Sequence, residues 1–542
     1  MNAPSIDLDV CVVGYGPVGQ TLAALLGRKG WKVGVYERWE LPYPLPRAGH
    51  VDDEIVRVLQ SIGVADLFEV RAVPATEYDW VDGKGDLLFR IDWSKPTTSS
   101  WRSDYIFYQP DLEALLSQAA EAHENVSVHR GWEAVGLEQH EDRVEVTFRG
   151  GTQDGHGWEP NGATTTVHAR YVVGADGANS FVRKAAGITW DDFGFSETLS
   201  IVDVRLHEPD LKIAMPASGQ MCDPERPVTL FRWLAREHAR WEFMLMPGED
   251  PAELVGEASC WSKLERWGVT PENATLIRRT LYTFNSLVAH DFVAGRAILA
   301  GDAAHLMPPF LGQGMCSGIR DAANLAWKLD LVLDGTTPDD ILETYTRERR
   351  DHVREITRIA ITLGAVLCET DPRKAAARDA AIRRDGPPPV PPLPALTTGF
   401  LGEADGDSGA RGRLGVQGLI VHEDRVRRFD DVAGSGWTLF CADRALAEDA
   451  RRVRDAASGF VGINVVYVSR APVDFPGSYV DFDGTYDRWF ASSNARAILV
   501  RPDFYTYGQA NTSAEVTDLL TEMIGRLRNP LDAAPGTGRT AR

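Results

Sequence analysis

Two glycine-rich signatures, far apart in the chain, carry the residue types that hold a phosphate-bearing dinucleotide. The first is Gly14-Tyr15-Gly16-Pro17-Val18-Gly19, at the end of the apolar run Val10-Cys11-Val12-Val13. Its glycines have separable tasks: Gly14 makes the turn, Gly16 lets the backbone approach a pyrophosphate, and Gly19 lets the next helix lie close to the strand. Pro17 belongs to the same turn. The helix N-terminus then offers unpaired N–H groups and a partial positive charge to the phosphates. Glu37 is placed to accept hydrogen bonds from a ribose, with Arg38 beside it. The second signature is Gly301-Asp302-Ala303-Ala304-His305, after Ala297-Ile298-Leu299-Ala300 and before Pro308-Pro309 and Gly312-Gln313-Gly314. Either alone is weak. In this order they read as one dinucleotide site built from two ends of a single domain, and that makes redox chemistry the leading expectation.

The elements that must position these residues read as strand, turn, helix and strand over residues 8 to 38. Val10 to Val13 is the first strand, Thr21 to Lys29 the helix and Trp31 to Tyr36 the second strand. A helix is expected up to Leu59, where the run Asp52-Asp53-Glu54 reads as a solvated start, and another from Gln109. Val126 to Val128, Val144 to Phe148 and Thr165 to His168 read as strands of a small sheet. A buried strand then ends at Asp176-Gly177, another acidic-glycine turn before a helix. Between about 190 and 290, alternating aromatic-rich segments (Thr229 to Leu234, Arg240 to Met246, Thr280 to Phe284) suggest a sheet laid over a pocket. Helices from Gly318 to Leu333 and Tyr345 to Cys368 close the unit. Residues 371–415, rich in Pro and Gly, read as a linker or wrapping segment. Strands near Trp437, Ile463 and Ala497, with helices between, form a separate small α/β domain, and residues 530–542 read as a disordered tail.

At 542 residues the chain exceeds one ordinary core. A net charge of -21 argues against a nucleic-acid or anionic-membrane partner. Six scattered cysteines without a CxxC pair suit reduced thiols, so no metal site or disulfide framework is expected. The N-terminus lacks the basic region of a signal peptide, and no apolar run reaches membrane-spanning length. A soluble, cytoplasmic protein is the expectation.

With GxGxxG, Asp176-Gly177 and Gly301-Asp302 in hand, the chain resembles the single-component aromatic hydroxylases, flavoprotein monooxygenases of the p-hydroxybenzoate hydroxylase fold. The segments Pro46-Arg47-Ala48, Asp52-Asp53-Glu54, Glu242-Phe243-Met244, Met246-Pro247-Gly248-Glu249 and Gly312-Gln313-Gly314 resemble the members acting on 3-(3-hydroxyphenyl)propionate. The resemblance implies an α/β chain. A Rossmann-like FAD-binding domain (1–370) is interleaved with a mixed-sheet substrate domain, mainly 75–105 and 190–290. A C-terminal thioredoxin-like domain (416–529) follows; lacking CxxC, it is expected to be structural or to form a homodimer. By the same resemblance Gly14, Gly16, Pro17 and Gly19 hold the pyrophosphate, and Glu37 with Arg38 the adenosine ribose. Arg47 and Gln109 contact the middle of FAD. Gly301 and Asp302 meet the ribityl or pyrophosphate region, and Asp176 and Gly177 serve FAD and the incoming NAD(P)H. Pro309, Gly312, Gly314, Met315 and Cys316 lie along the isoalloxazine, with N–H groups near Met315 and Cys316 stabilising negative charge. Many relatives carry Asn at the position of Cys316.

The implied reaction takes NAD(P)H, dioxygen and a phenolic substrate, and delivers oxygen to the ring through a flavin C4a-hydroperoxide. A 3-hydroxyphenylpropionate-like acid leads, with a larger or polycyclic phenol, or a non-oxygenating FAD enzyme of the same fold, as alternatives. Deprotonating the phenol raises ring nucleophilicity, so a base is expected, and His50, just after Arg47, is the candidate. His305 is read as orienting its loop. An acidic substrate would want an arginine; Arg232, Arg236 and Arg240 lie in the presumed substrate sheet, with Phe231, Trp233 and Trp241 as aromatic lining or core.

Overall fold

The computed structural model describes residues 6–154, 157–208, 211–213, 218–233, 237–387, 389, 391–403, 409–456 and 460–530. Three large sheets organise them. In the first, Leu8–Val13 runs parallel to Val33–Glu37 and to the end of the long strand Gly157–Gly174. Val126–Arg130 extends it in parallel beyond Val33–Glu37, and Ala297–Leu299 pairs with Val172–Gly174 on the other side. Val126–Arg130 is thus an edge of the nucleotide sheet, not part of a small sheet as its short alternation suggested. The second signature follows Ala297–Leu299 directly, so the two distant motifs emerge at one sheet edge, where open α/β sheets bind ligands. The strands are apolar because both faces are covered: Val10, Cys11, Val12, Val33, Val35, Val172 and Ile298 are all fully buried.

The second sheet also has eight strands and is mixed. Trp190–Leu206 pairs with Ala274–Ala289 on one side and His238–Met244 on the other; Val228–Trp233, Ser218–Cys222, Glu77–Asp82 and Leu87–Asp92 follow. His305–Leu306 pairs with Leu287–Val288, tying this sheet to the second signature. His50–Asp52, Asp104–Ile106 and Val73–Ala75 form a separate three-stranded antiparallel sheet with Asp104–Ile106 at its centre.

Helices start earlier than the apolar period alone suggests. Pro17–Arg28 begins at the proline, whose fixed φ suits a first helical position. Gly314–Leu333 and Ile341–Leu367 begin four residues before the expected starts. The presumed linker opens with a helix, Pro372–Asp385. Asp371 caps it through the N–H groups of Arg373 and Lys374, Pro372 occupies its first turn, and the alanine-rich stretch propagates it until Gly386.

The C-terminal sheet has seven strands, in the order Arg425–Arg428, Leu419–His422, Ser478–Asp481, Ile463–Ser469, Trp437–Cys441, Ala497–Val500, Thr506–Ala510. Ser478–Asp481, Ile463–Ser469 and Trp437–Cys441 are mutually parallel, and the last two strands are antiparallel. Helices Arg444–Ala456, Thr485–Ser493 and Ser513–Arg528 cover it. The expected disordered tail lies outside the described residues beyond Pro530. No helix among the described residues is long and apolar enough to cross a membrane.

Candidate active site

The first glycine turn has the geometry its residue types call for. Gly14 has φ +103°, and a Cβ there would lie 2.3 Å from the Ala175 carbonyl oxygen. At Gly19 a Cβ would lie 2.2 Å from the Gly14 oxygen, whereas at Gly16 it would meet nothing within 4 Å. Gly16 therefore keeps an open side, while its two neighbours are closed by protein. The first intrahelical bond runs from Gln20 N to Gly16 O, leaving the Val18 and Gly19 N–H groups ahead of it. Glu37 accepts from Tyr15 N at 2.8 Å and Trp39 N at 2.9 Å, so it also fastens the turn. A carboxylate has lone pairs left for a ribose. Arg38 is exposed and stacks on Trp39. At the carboxyl end of the sheet a cavity of about 600 Å³ opens, lined by Gln20, Pro42, Pro110, Glu113, Ser117 and Arg130 among others.

Asp176 abuts the same turn. Its Oδ2 accepts from Val182 N, capping Phe181–Ala185, while its buried Oδ1 has no partner among the described residues. Burial, countered by Ser180, raises its carboxyl. Gly177 has φ +78° with open space where a Cβ would sit. On the other side, Gly301 has φ +63° and packs on Val18, joining the two signatures; its N–H donates to Asp321 at 3.0 Å. Asp302 is exposed, yet the protein packed around it takes enough water from its carboxylate to push the carboxyl up against the pull of His305 and Arg47. An open glycine cradle, an orphaned carboxylate oxygen and this exposed acid in the second signature fit a dinucleotide cofactor.

Gln109 is buried and largely spent on protein: Oε1 accepts from Arg47 N (2.9 Å) and Ala48 N (2.6 Å), and one Nε2 hydrogen goes to Glu113. It fixes the Arg47 loop, and the second Nε2 hydrogen is what remains for a cofactor. The Arg47 side chain is exposed and reaches to 4.0 Å from Glu113.

The loop Pro309–Leu311 is a single 3-10 turn closed by Gly312 at φ +63°, and the first-turn N–H groups of Gly314, Met315 and Cys316 precede the helix's own bonding. The Cys316 side chain turns inward: it is fully buried, with Sγ 3.7 Å from the His50 and Gly312 carbonyl oxygens, and burial raises its thiol. It offers the cleft only its backbone. His305 is locked by Asp321 at 2.6 Å, and Asp321 also holds Arg349.

His50, 6% exposed, places Nε2 at 2.6 Å from Asp104 Oδ1 and points Nδ1 at Gly312, where an added Cβ would approach to 2.9 Å. Burial works against its charge, but Asp104 and Asp52 outweigh it and leave the imidazole more basic than usual. An aromatic run leads away from it: His50 stacks on Trp93 (5.4 Å), Trp93 meets Tyr78 (5.1 Å), and Tyr78 meets Phe231 (6.2 Å). Tyr78 OH accepts from Gln220 Nε2 at 2.8 Å, and Gln220 Oε1 accepts from Thr229.

Alternation along the sheet sorts the remaining candidates. Arg232 pairs with Ala239 and Leu230 with Trp241, which puts all four on the outer face. Trp241 is fully buried there against Trp267 and Phe243, so it is core and not pocket lining. Arg232 likewise faces away from His50. Phe231 pairs with Arg240 on the inner face. Arg240, 4% exposed, binds Asp203 (2.7 Å) and the carbonyls of Arg47 (2.7 Å) and Pro46, bracing the Arg47 loop from inside the protein. Trp233 ends its strand, but its side chain, like Arg236 as a whole, lies outside the described residues.

The run Asp52-Asp53-Glu54 is not solvated. Asp52 caps Asp53–Ser61 through Ile55 N, yet Asp52 and Glu54 are each 6% exposed and share Arg320. Trp93, Tyr78, Gln220, Asp104 and Arg320 escaped the sequence reading. Only the chain's folding brings them together, and no local spacing marks them.

Residues 7–360 match a family described as an FAD binding domain, and 412–525 one described as an HcaD C-terminal domain. The chain belongs to this FAD-binding family of aromatic hydroxylases, and its cofactors are FAD and a nicotinamide electron donor. It is 38% identical over 541 residues, covering 97% of this chain and 96% of the relative, to a probable NADH-specific resorcinol 4-hydroxylase of Rhodococcus jostii. It is 32% identical, covering 96% and 98%, to a 3-(3-hydroxy-phenyl)propionate/3-hydroxycinnamic acid hydroxylase of Burkholderia cenocepacia. Its fold matches that of the flavin-dependent monooxygenase PieE, solved with FAD and substrate, at a TM-score of 0.79 and 23% identity over 97% and 99% of the two chains.

Proposed function

We propose that this hydroxylase acts on a single-ring phenol held between the aromatic run Trp93–Tyr78–Phe231 and the loop Pro309–Gly312, with His50 as the base that takes the phenolic proton. The observation that carries this reading is His50 itself: Asp104 orients it, Trp93 stacks on it, and its Nδ1 is turned toward the flavin-side loop. FAD, reduced by the nicotinamide nucleotide, supplies the activation of dioxygen. The chain's own groups orient the ring, exclude water and hold the proton at Nδ1.

The inner sheet face favours a neutral phenol of the resorcinol type over an acid, because Arg240 and Arg278 are engaged with Asp203 and Pro46, and Arg232 lies on the outer face. The curated relatives acting on 3-(3-hydroxyphenyl)propionate support the acid as a second reading. NADH is the proposed donor, after the Rhodococcus relative. The parallel strands of the C-terminal sheet, followed by an antiparallel pair and a closing helix, support a thioredoxin-like domain. Its one cysteine, Cys441, is buried with a thiol pushed up to about 12, against a redox role.

The test is NADH and NADPH oxidation with oxygen uptake across resorcinol, 3-(3-hydroxyphenyl)propionate, 3-hydroxycinnamate and a polycyclic phenol, for the parent and His50→Gln. Strong, product-forming stimulation by resorcinol is expected. The substitution should cut hydroxylation about 10²–10⁴-fold and remove the activity rise with pH above 6.5. A parent activated only by acids moves the assignment to the second reading, and an unchanged pH profile removes His50 as the base.

A further inference from the structure

The loop that would lie along the flavin is connected to the C-terminal domain through the inside of the molecule. Gln313 precedes the helix Gly314–Leu333. Along that helix, Arg320 spends its guanidinium on Gln313 (2.8 Å), Asp52 (2.6 Å) and Glu54 (2.6 Å), and Gln313 Nε2 donates back to the same Asp52 oxygen at 3.0 Å. One turn further on, Asn324 Nδ2 donates to Asp503 (2.8 Å) and to Glu348 (2.7 Å). Arg501 grips both of those carboxylates, at 2.5 Å and 2.7 Å, and Lys328 completes the set on Glu348 at 2.9 Å. Tyr505, two residues beyond Asp503, is buried beside Glu54, whose charge acts on its hydroxyl, and so borders the Arg320 cluster. Arg501, Asp503, Glu348, Asn324, Arg320 and Tyr505 are all nearly or fully buried.

One short segment of the C-terminal domain therefore bonds the flavin-domain helix at Asn324 and borders it one turn earlier, beside Arg320. About 16 Å of helix, at 1.5 Å per residue, separates Asn324 from Gln313. Charge-assisted bonds of this kind are short and directional, and in a dry interior none can loosen without orphaning a charge. The first-turn N–H groups of this helix lie ahead of its own hydrogen bonding and are left for a ligand. The electrostatic effect of such donors on a bound group depends on where they are held, to fractions of an ångström.

We propose that the segment Arg501–Tyr505 is a positioning element of the flavin site, setting through Asn324 and the Glu54–Arg320–Gln313 chain where the Gly312–Cys316 loop stands. The C-terminal domain thereby takes part in the cofactor's environment without touching the cofactor.

The experiment compares full-length holoenzyme carrying Tyr505→Phe or Asp503→Asn with Arg428→Gln. The last removes the Arg428 bond to the Ser100 carbonyl (3.2 Å) and its stacking on Trp101 across the same domain boundary, away from Arg501–Tyr505 and Gly314–Leu333. FAD dissociation is read from the recovery of flavin fluorescence, alongside the visible spectrum of bound flavin, peroxide released per NADH consumed, and the melting temperature. Tyr505→Phe and Asp503→Asn should weaken FAD binding roughly three- to thirty-fold, shift the flavin bands and raise the peroxide yield. Arg428→Gln should lower the melting temperature alone. The proposal is overturned if the first two variants keep parental FAD affinity and spectrum, or if Arg428→Gln moves those readouts as far.

Discussion

Glu242→Gln should stabilise the protein at and above neutral pH, against the usual cost of changing a buried residue. Glu242 is 5% exposed on the inner sheet face. One carboxylate oxygen stands 3.8 Å from Arg240 Nη1, and the other has no hydrogen-bond partner among the described residues. Burial pushes its carboxyl from 4.5 up to about 7, because Arg240 and Arg278 oppose the shift only in part and Asp203 adds to it. Asp203 already serves both arginines, so Glu242 is surplus to the local charge balance.

The folded state therefore holds a proton that the unfolded chain releases near 4.5, and stability falls as pH rises from there to about 7. A gap of two to three pH units, at about 1.4 kcal/mol each, amounts to roughly 3 kcal/mol, fully felt only above pH 7. Glutamine keeps the shape and cannot ionise. Urea denaturation of parent and variant at pH 5, 6, 7 and 8, both saturated with FAD so that binding contributes equally, should show the variant's advantage growing from small at pH 5 to a few kcal/mol at pH 8. Parallel loss of stability in both proteins, or a variant weaker at pH 8, would mean that the carboxylate is well paired, and the reasoning fails.

Two further substitutions separate the cofactor site from the scaffold. Gly14→Ala forces a Cβ to within 2.3 Å of the Ala175 oxygen at φ +103°, so the purified protein should come off the column without bound flavin, seen as loss of its visible absorption. Trp241→Ala empties a fully buried site in the outer-face core and should cost about 3–5 kcal/mol in denaturant unfolding, with KM for the phenol unchanged if the protein is assayed well below its melting point. A raised KM with unaltered stability would return Trp241 to the pocket.

The contrast between these sites explains what the sequence could disclose. The cofactor half was legible because its constraints are local. A turn at φ +103°, a helix packed against its preceding strand and an acid at the next strand's end each demand a residue type at a fixed offset, and Gly14, Gly19 and Glu37 satisfy them. The substrate half has no such grammar. Arg232 and Trp241 looked chemical by type, yet pleat parity sends them outward, and a parity is settled only when the strand's partners are known. Asp52 and Glu54 misled for a related reason: an acidic run at a helix start is normally solvated, and here Arg320, reached only through the fold, makes its burial tolerable. The base candidate His50 was found by its closeness to Arg47, but Asp104 and Trp93, which give that imidazole its orientation and raised basicity, come from a different strand and loop. The same holds for Asp503 and Tyr505, which reach Asn324 and the surroundings of Arg320 from the far end of the chain, where the first signature gives no reason to look. Chemistry carried by backbone shape is written in consecutive residues. Chemistry carried by side chains meeting across sheets and domains is written in the packing, and here that packing brings His50 and its aromatic run against the Pro309–Gly312 loop and ties the helix that follows to the C-terminal segment.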